Sequence, residues 1–297
     1  MKKLSISNYA NTKAGSAILI SGSARSGTTI IGKVIHSLKG VEYSFEPPAL
    51  FSLIPLIESI KENNWKMLYE TYLYEDFFIN SICGRSINCN IADDSSIYKV
   101  KSKSSIDARL IKSVDKVKAE KIGADRVIAY KMPDITPFIP KLIEYYPDMR
   151  VIFMERGPIE TINSLLAKGW FSKNGSTSNM TWPFVIENEI KIPFWVCDKD
   201  SDLWCAMSEI DRCAYYYIRV NNVNIPNAIK ISYEDLILDP LNTVSELANR
   251  LQLDFGPKTN ELIGSIAYRS KQIDRKILGK IDSSLADAIM KLPKEEK

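Results

Sequence analysis

A single histidine, His36, stands in the 297 residues, and the five cysteines include no C-x-x-C pair. That poverty argues against a zinc site and leaves no metal in the expected chemistry. An odd cysteine count (Cys83, Cys89, Cys197, Cys205, Cys213) fits reduced thiols better than a disulfide framework. No apolar run reaches the roughly 18 residues of a membrane span, so no membrane partner is expected. Met1-Lys2-Lys3 could open a signal peptide, but residues 4–16 are mostly polar, which points to a cytoplasmic protein. The net charge of +3 is too small to imply nucleic-acid binding. Repeats and low-complexity linkers are missing too, and one continuous domain over 1–297 is expected, with residues 1–15 loosely ordered.

What is present is an ordinary globular composition, 45% hydrophobic and 25% charged, with one unusual stretch. Ala17-Ile18-Leu19-Ile20-Ser21-Gly22 reads as a buried strand, and Ser23-Ala24-Arg25-Ser26-Gly27-Thr28-Thr29 as a small-residue loop opening a helix. Gly22 and Gly27 allow a sharp turn and close approach of a ligand. The helix start beyond Gly27 aims unpaired N–H groups and a positive dipole end at an anion. A triphosphatase loop would read G-x-x-x-x-G-K-[ST], yet Thr28 stands where that lysine belongs. The loop's cation is Arg25 instead.

Further buried-strand patterns occur at 41–46, 126–131, 150–154 and 228–232, and most are followed by Pro or a charged turn and a helical period. Alternation of strand and helix predicts an α/β protein, a three-layer parallel β-sheet with helices on both faces. Ligands of such sheets bind at the carboxyl ends of the strands, where the loop, Glu46, Lys131, Arg156 and Tyr233 would emerge together. Residues 50–125 read as mainly helical, without a motif. A second anion site is suggested by Arg150–Glu155 and the charged end Arg156-Gly157-Pro158. Pro158 suits a first helical turn, and Ser164 lies opposite the apolar face of Ile159, Ile162, Leu165 and Leu166. Arg156 and Ser164 can therefore meet one ligand, the arginine as a fork for phosphate oxygens; a surface ion pair and a solvated serine is the plainer alternative.

Together these motifs resemble the sulfotransferase family. Ser23 to Thr29 is similar to the family's 5′-phosphosulfate loop, and Arg150 to Ser164 to its 3′-phosphate motif, an Arg with a Ser eight residues later. Glu46-Pro47-Pro48, Lys131-Met132-Pro133 and Tyr233-Glu234-Asp235-Leu236 resemble shorter motifs of its bacterial and glycan-modifying branch. The matches run over residues 17–251. The resemblance implies a P-loop-NTPase-like fold and 3′-phosphoadenosine 5′-phosphosulfate (PAPS) as sulfuryl donor, without a metal. It also implies Arg25 on the bridging and sulfuryl oxygens, although cytosolic members more often carry Lys there. Backbone N–H groups of Ser26 to Thr29 with the Thr28 and Thr29 hydroxyls would hold the 5′-phosphate, and Arg156 with Ser164 the 3′-phosphate.

A base must take the acceptor's proton. His36 projects from the first helix about 10 Å along its axis from Thr29, too far for that duty. Glu46 is the better candidate, because a carboxylate at a strand end beside apolar residues can be tuned for proton transfer; pairing with Arg25 is its alternative. Lys131 would neutralise the sulfuryl group or orient the acceptor, unless it is structural. Tyr268–Lys271 or Arg275-Lys276 could supply a closing basic loop. For the acceptor, Trp170, Phe171, Trp182 and Trp195 fall in a segment, 170–205, expected to be a lid, and seven acids occupy 187–211. Aromatic faces among carboxylates suit a polar or cationic small molecule, although plain core packing is the simpler account. Tyr215-Tyr216-Tyr217 reads as core. Two rival functions stay open: a P-loop kinase or NTPase, with Glu155 as its acidic residue, and a non-catalytic nucleotide-binding protein. A monomer or homodimer fits either.

Overall fold

The computed structural model describes residues 6–93, 95–111, 114–172, 183–267 and 273–293. Along them run strands β1 (Ile18–Gly22), β2 (Val41–Phe45), β3 (Val127–Lys131), β4 (Arg150–Glu155), β5 (Phe184–Glu187), β6 (Ile190–Pro193) and β7 (Ile229–Ser232). β1, β2, β3, β4 and β7 form one parallel sheet in the order β2-β3-β1-β4-β7. The central strand β1 is buried along its whole length, as its unbroken apolar run requires of a strand covered on both faces. The protein is therefore a three-layer α/β structure.

The period-2 geometry of the strands divides the core. Ile18, Ile20, Ala129, Ile152, Met154, Ile229 and Ile231 point to one face, where the helices Thr28–Ser37 and Pro240–Leu251 pack with Ile31, Val34, Ile35, Val244, Leu247 and Leu251. Leu19, Ile128, Tyr130 and Val151 point to the other, against Ala10, Trp65, Tyr69 and Leu142. Burial of each such Ile or Leu contributes about 1.5–3 kcal/mol. Phe153 of β4 joins a further cluster with the helices Pro158–Leu166 and Glu209–Asn221.

Two expectations need correction. Residues 8–15 are not loose: the helix Asn8–Gly15 is capped by Ser7, buries Ala10 and Ala14, and is anchored by Lys13 Nζ, which donates to the carbonyls of Gly123, Ala124 and Arg126 at 2.6–2.9 Å. A polar sequence hid this because one lysine satisfies the end of a distant helix. Segment 184–193 folds as an antiparallel hairpin, β5 against β6, which the sequence pattern did not suggest. Helices do dominate 50–125, including a π-helical stretch at Tyr72–Ile79.

Below the sheet edge lies a buried ionic group. Glu42 on β2 accepts from Arg109 at 2.7 and 2.9 Å and from Ser81 Oγ at 2.6 Å, and pairs with Arg126. Glu42→Ala would strand Arg109 without its partner, and is expected to lower unfolding free energy by about 3–5 kcal/mol in a urea titration. A loss below about 1 kcal/mol would show that the pair is not closed to water. Next to it the His36 ring lies tilted against Tyr43 at 5.2 Å, and burial, then Lys101, pushes its pKa down to about 3. His36 therefore stays neutral and belongs to the packing of the helix Thr28–Ser37.

Candidate active site

Because the strands are parallel, their carboxyl ends share one edge, and the charged residues of the chain's motifs gather there. Glu46 N–H donates to Lys131 O at 3.0 Å and Met132 N–H to Ile20 O at 2.9 Å, so the ends of β2, β3 and β1 are tied together. Three residues at those ends adopt left-handed backbone despite having side chains: Arg25 (φ 74°), Glu46 (φ 44°) and Asp134 (φ 71°). Such conformations cost of order 1 kcal/mol or more each and persist only where the surroundings hold them. Three of them fall together at this sheet edge, which makes it the candidate site.

The loop after β1 is built for close approach. Gly27 (φ 92°) heads the helix Thr28–Ser37, and a Cβ there would lie 2.6 Å from the Tyr233 ring. Ser26 donates both its N–H (3.1 Å) and its hydroxyl (2.6 Å) to Ser23 O, which closes the turn. Of the loop residues expected to bind the donor, Arg25, Gly27, Thr28 and Thr29 line a cavity of about 860 Å³. Ser23, Ala24 and Ser26 are buried behind it, and the Ala24 and Ser26 amides are already bonded within the protein. Of the expected loop contacts these three therefore do not line the cavity. The first intrahelical bond is Ile30 N–H to Gly27 O, which leaves the Thr28 and Thr29 amides ahead of it for an anion.

Arg156 and Ser164 line the same cavity from the β4 side. Arg156 Nη1 donates to Arg25 O at 2.7 Å, and Arg25 Nε donates to Ser164 Oγ at 3.2 Å. The two expected anion sites are thus one site. Arg156 also lies over the Tyr233 ring at 4.4 Å, and its Nε is buried without a partner. Burial and then Arg156 lower Arg25's pKa, while Tyr233 opposes the shift. Ser23 Oγ is a second buried, unpartnered polar atom here.

Glu46 and Lys131 sit just beyond Thr29. Lys131 Nζ is 2.5 Å from Glu46 Oε1, 3.2 Å from Thr29 Oγ1 and 4.3 Å from the Phe45 ring centre. Glu46 therefore pairs with Lys131, not with Arg25. Burial lowers Lys131's pKa, while Glu46 opposes the shift. Asp134, which the sequence reading passed over, completes the group: burial pushes its pKa up to about 6, Tyr216 and Lys131 work to lower it, and Glu46 adds to the rise.

The aromatic expectations divide. Trp170 stands over the Arg25 guanidinium at 5.8 Å and belongs to the site. Phe171 and Trp195 do not: they are 4% and 1% exposed, closed in a cluster with Trp204 and Tyr216 at ring distances of 4.9–5.7 Å. An apolar ring that fills core space cannot also present a face to a ligand, so both are removed as substrate contacts. Trp182 lies outside the described residues, as does Tyr268–Lys271. Arg275 does line the cavity, opposite the loop. The sequence reading also missed its apolar wall, Ile237, Leu262, Ile266 and Ile273, whose side chains suit the face of a flat heterocycle. Its only signal was an apolar residue spacing in the last third of the chain, indistinguishable there from core. Glu155, the acid a kinase reading would use, pairs with Lys230 at 3.0 Å and does not line the cavity.

A parallel sheet whose central strand delivers a glycine-bearing anion loop into a cavity with paired arginines defines an α/β protein of the P-loop type. Residues 17–257 match the profile of the sulfotransferase family, and the chain belongs to that family. Solved structures similar to it include the sulfotransferase domain from the curacin biosynthetic pathway (14% identity, TM-score 0.44, covering 95% of this chain and 93% of that one). Others are the sulfotransferase domain of the Synechococcus PCC 7002 olefin synthase (14%, 0.42, 95% and 89%) and sulfotransferase STF1 from Mycobacterium tuberculosis H37Rv (14%, 0.42, 88% and 74%). No protein of curated function matches the chain in sequence. Among the described residues no helix is long and apolar enough to cross a membrane, and no group of three or more His, Cys, Asp or Glu could hold a metal ion.

Proposed function

We propose that the chain transfers a sulfuryl group from PAPS to a hydroxyl or amine of a small, polar or cationic acceptor, acting in the cytoplasm as a monomer or homodimer. The observation that carries this reading is the pair Arg25 and Arg156: two guanidiniums lining one cavity, Arg156 bonded to the Arg25 carbonyl and Arg25 to Ser164, with Arg156 Nε buried and unpartnered. Two separated anionic ends on one nucleotide would satisfy both. The donor supplies an activated sulfuryl group on a phosphate leaving group; the protein's own residues do the rest. Thr28 and Thr29 amides and hydroxyls hold the 5′-phosphate at the helix start. Arg156 with Ser164 takes the 3′-phosphate, and Ile237, Leu262, Ile266 and Ile273 cover the adenine. Arg25 neutralises charge on the oxygen from which the sulfur–oxygen bond breaks. Glu46 accepts the acceptor's proton as the new bond to sulfur forms, and Lys131 holds Glu46 in place.

Two measurements test the reading. Calorimetric titration with adenosine 3′,5′-bisphosphate should show saturable binding without Mg²⁺, and labelled PAPS should pass its sulfuryl group to members of an acceptor panel. Binding of ATP with Mg²⁺ in preference to the bisphosphate would favour the kinase alternative. Binding without turnover on any acceptor would favour a non-catalytic protein. Glu46→Gln keeps the shape of the side chain but cannot accept a proton, so kcat should fall by about 10²- to 10⁴-fold while bisphosphate affinity holds. A change in affinity with kcat intact would assign Glu46 to donor binding instead.

A further inference from the structure

We propose that Asp134 is a positioning residue for the anion loop, holding Ala24 and hence Arg25 in place through the buried hydroxyl of Tyr216. The proposal rests on the donor-site reading above, and extends it to two residues that do not line the cavity. Ala24 N–H lies 2.6 Å from Tyr216 Oη, and an amide can only donate, so the phenol oxygen accepts there. Its one proton is then free for Asp134 Oδ1, to which Tyr216 donates. The amide fixes the first direction, and the ionised carboxylate, which can only accept, fixes the second. Charge assistance makes the second bond the stronger of the two.

Each member of this chain is fixed from outside. Tyr216 is fully buried, its ring wedged against Phe171 and Trp195. Asp134 follows Pro133, and the segment before it is bound to β1 by Met132 N–H to Ile20 O (2.9 Å) and by Ser21 Oγ to Met132 O (2.9 Å). The relay thus connects the rigid sheet to the residue before Arg25. On its other side Arg25 is held by Arg156 at its carbonyl. Two holds, one on each side, account for a left-handed arginine persisting where glycine would be easier. The neighbouring Tyr217 hydroxyl donates to Arg156 O at 3.0 Å, so one helix steadies both arginine segments.

Asp134 also carries a stability signature of its burial. The charged groups facing it are Tyr216 from its helix, Glu46 from the end of β2 and Lys131 from β3. Burial raises its pKa from 3.8 to about 6, so its contribution to stability is fully present below the unfolded value and is lost as pH rises through about 6. Asp134→Asn, uncharged throughout, should therefore melt higher than the wild type at pH 8, with a lead that shrinks toward pH 4.

The experiment compares the full-length wild type with Tyr216→Phe and Asp134→Asn by amide hydrogen exchange, calorimetry, melting and kinetics. Tyr216→Phe should leave the melting temperature within a few degrees, lower exchange protection at Ala24 selectively, and reduce kcat by about 10- to 100-fold. Bisphosphate affinity should change by less than about three-fold, because the phosphate contacts lie elsewhere. Asp134→Asn should turn over more slowly while melting higher at pH 8. Unchanged protection at Ala24, or a kcat loss that merely tracks global unfolding, would each overturn the proposal. If wild-type protein fails to bind the bisphosphate, the donor reading falls. The Ala24 exchange, read without nucleotide, still decides the hold.

Discussion

Arg25→Ala is expected to reduce kcat by about 10²- to 10³-fold, the loss found when one preorganised donor to a developing negative charge is removed. The side chain is placed for that role by three contacts: its Nε donates to Ser164 Oγ at 3.2 Å, Trp170 covers it at 5.8 Å, and its carbonyl is fixed by Arg156 at 2.7 Å. None of these is a carboxylate, so the guanidinium's charge is available to a ligand. Alanine at φ 74° keeps the backbone conformation and the carbonyl's bond to Arg156 while removing the guanidinium with its contacts to Ser164 and Trp170, so the change is confined to the side chain. Arg25→Lys should recover part of the rate, because the charge returns without the planar fork that reaches Ser164. Single-turnover kinetics with saturating donor checks this. Rates within two-fold of wild type would remove Arg25 from the chemistry.

Arg156→Ala should weaken binding of adenosine 3′,5′-bisphosphate by about 10- to 100-fold, which corresponds to one lost charge-assisted interaction of about 1.5–3 kcal/mol. Adenosine 5′-monophosphate, which lacks the 3′-phosphate, should lose much less. The comparison matters because Arg156 has a second duty at the Arg25 carbonyl. Loosening that carbonyl affects both nucleotides alike, whereas the phosphate contact affects one. Calorimetry with the pair separates the two contributions. Equal losses would mean that Arg156 serves the loop and not the 3′-phosphate.

The parts of this site that were legible in advance share a property: their signal is local. β1 is an uninterrupted apolar run, the loop is announced by Gly22 and Gly27, and the Pro158 that starts the second anion motif's helix adjoins Arg156 in sequence. The parts that were not legible depend on pairs remote in sequence. Tyr216 and Asp134 are separated by 82 positions, and a run of three tyrosines on an amphipathic helix looks the same whether its hydroxyls point to solvent or to a binding loop. The rings are core, as read; the hydroxyls of Tyr216 and Tyr217 have further partners. Phe171 and Trp195 misled in the opposite sense, because aromatic density alone does not distinguish a lid from a core cluster.

The chain's sequence by itself determined the class of fold, the glycine-bearing turn between the first strand and its helix, and the place of Arg25 and Arg156 just beyond strand ends, since strand period, glycine placement and helix starts follow from nearest-neighbour sterics and backbone hydrogen bonding. Only the tertiary structure decided that the two arginines share one cavity, that Glu46 pairs with Lys131, and that Asp134 stands behind the loop. Those are facts of register and burial: parallel pairing brings distant strand ends to one edge, and the low dielectric there determines which charges find partners.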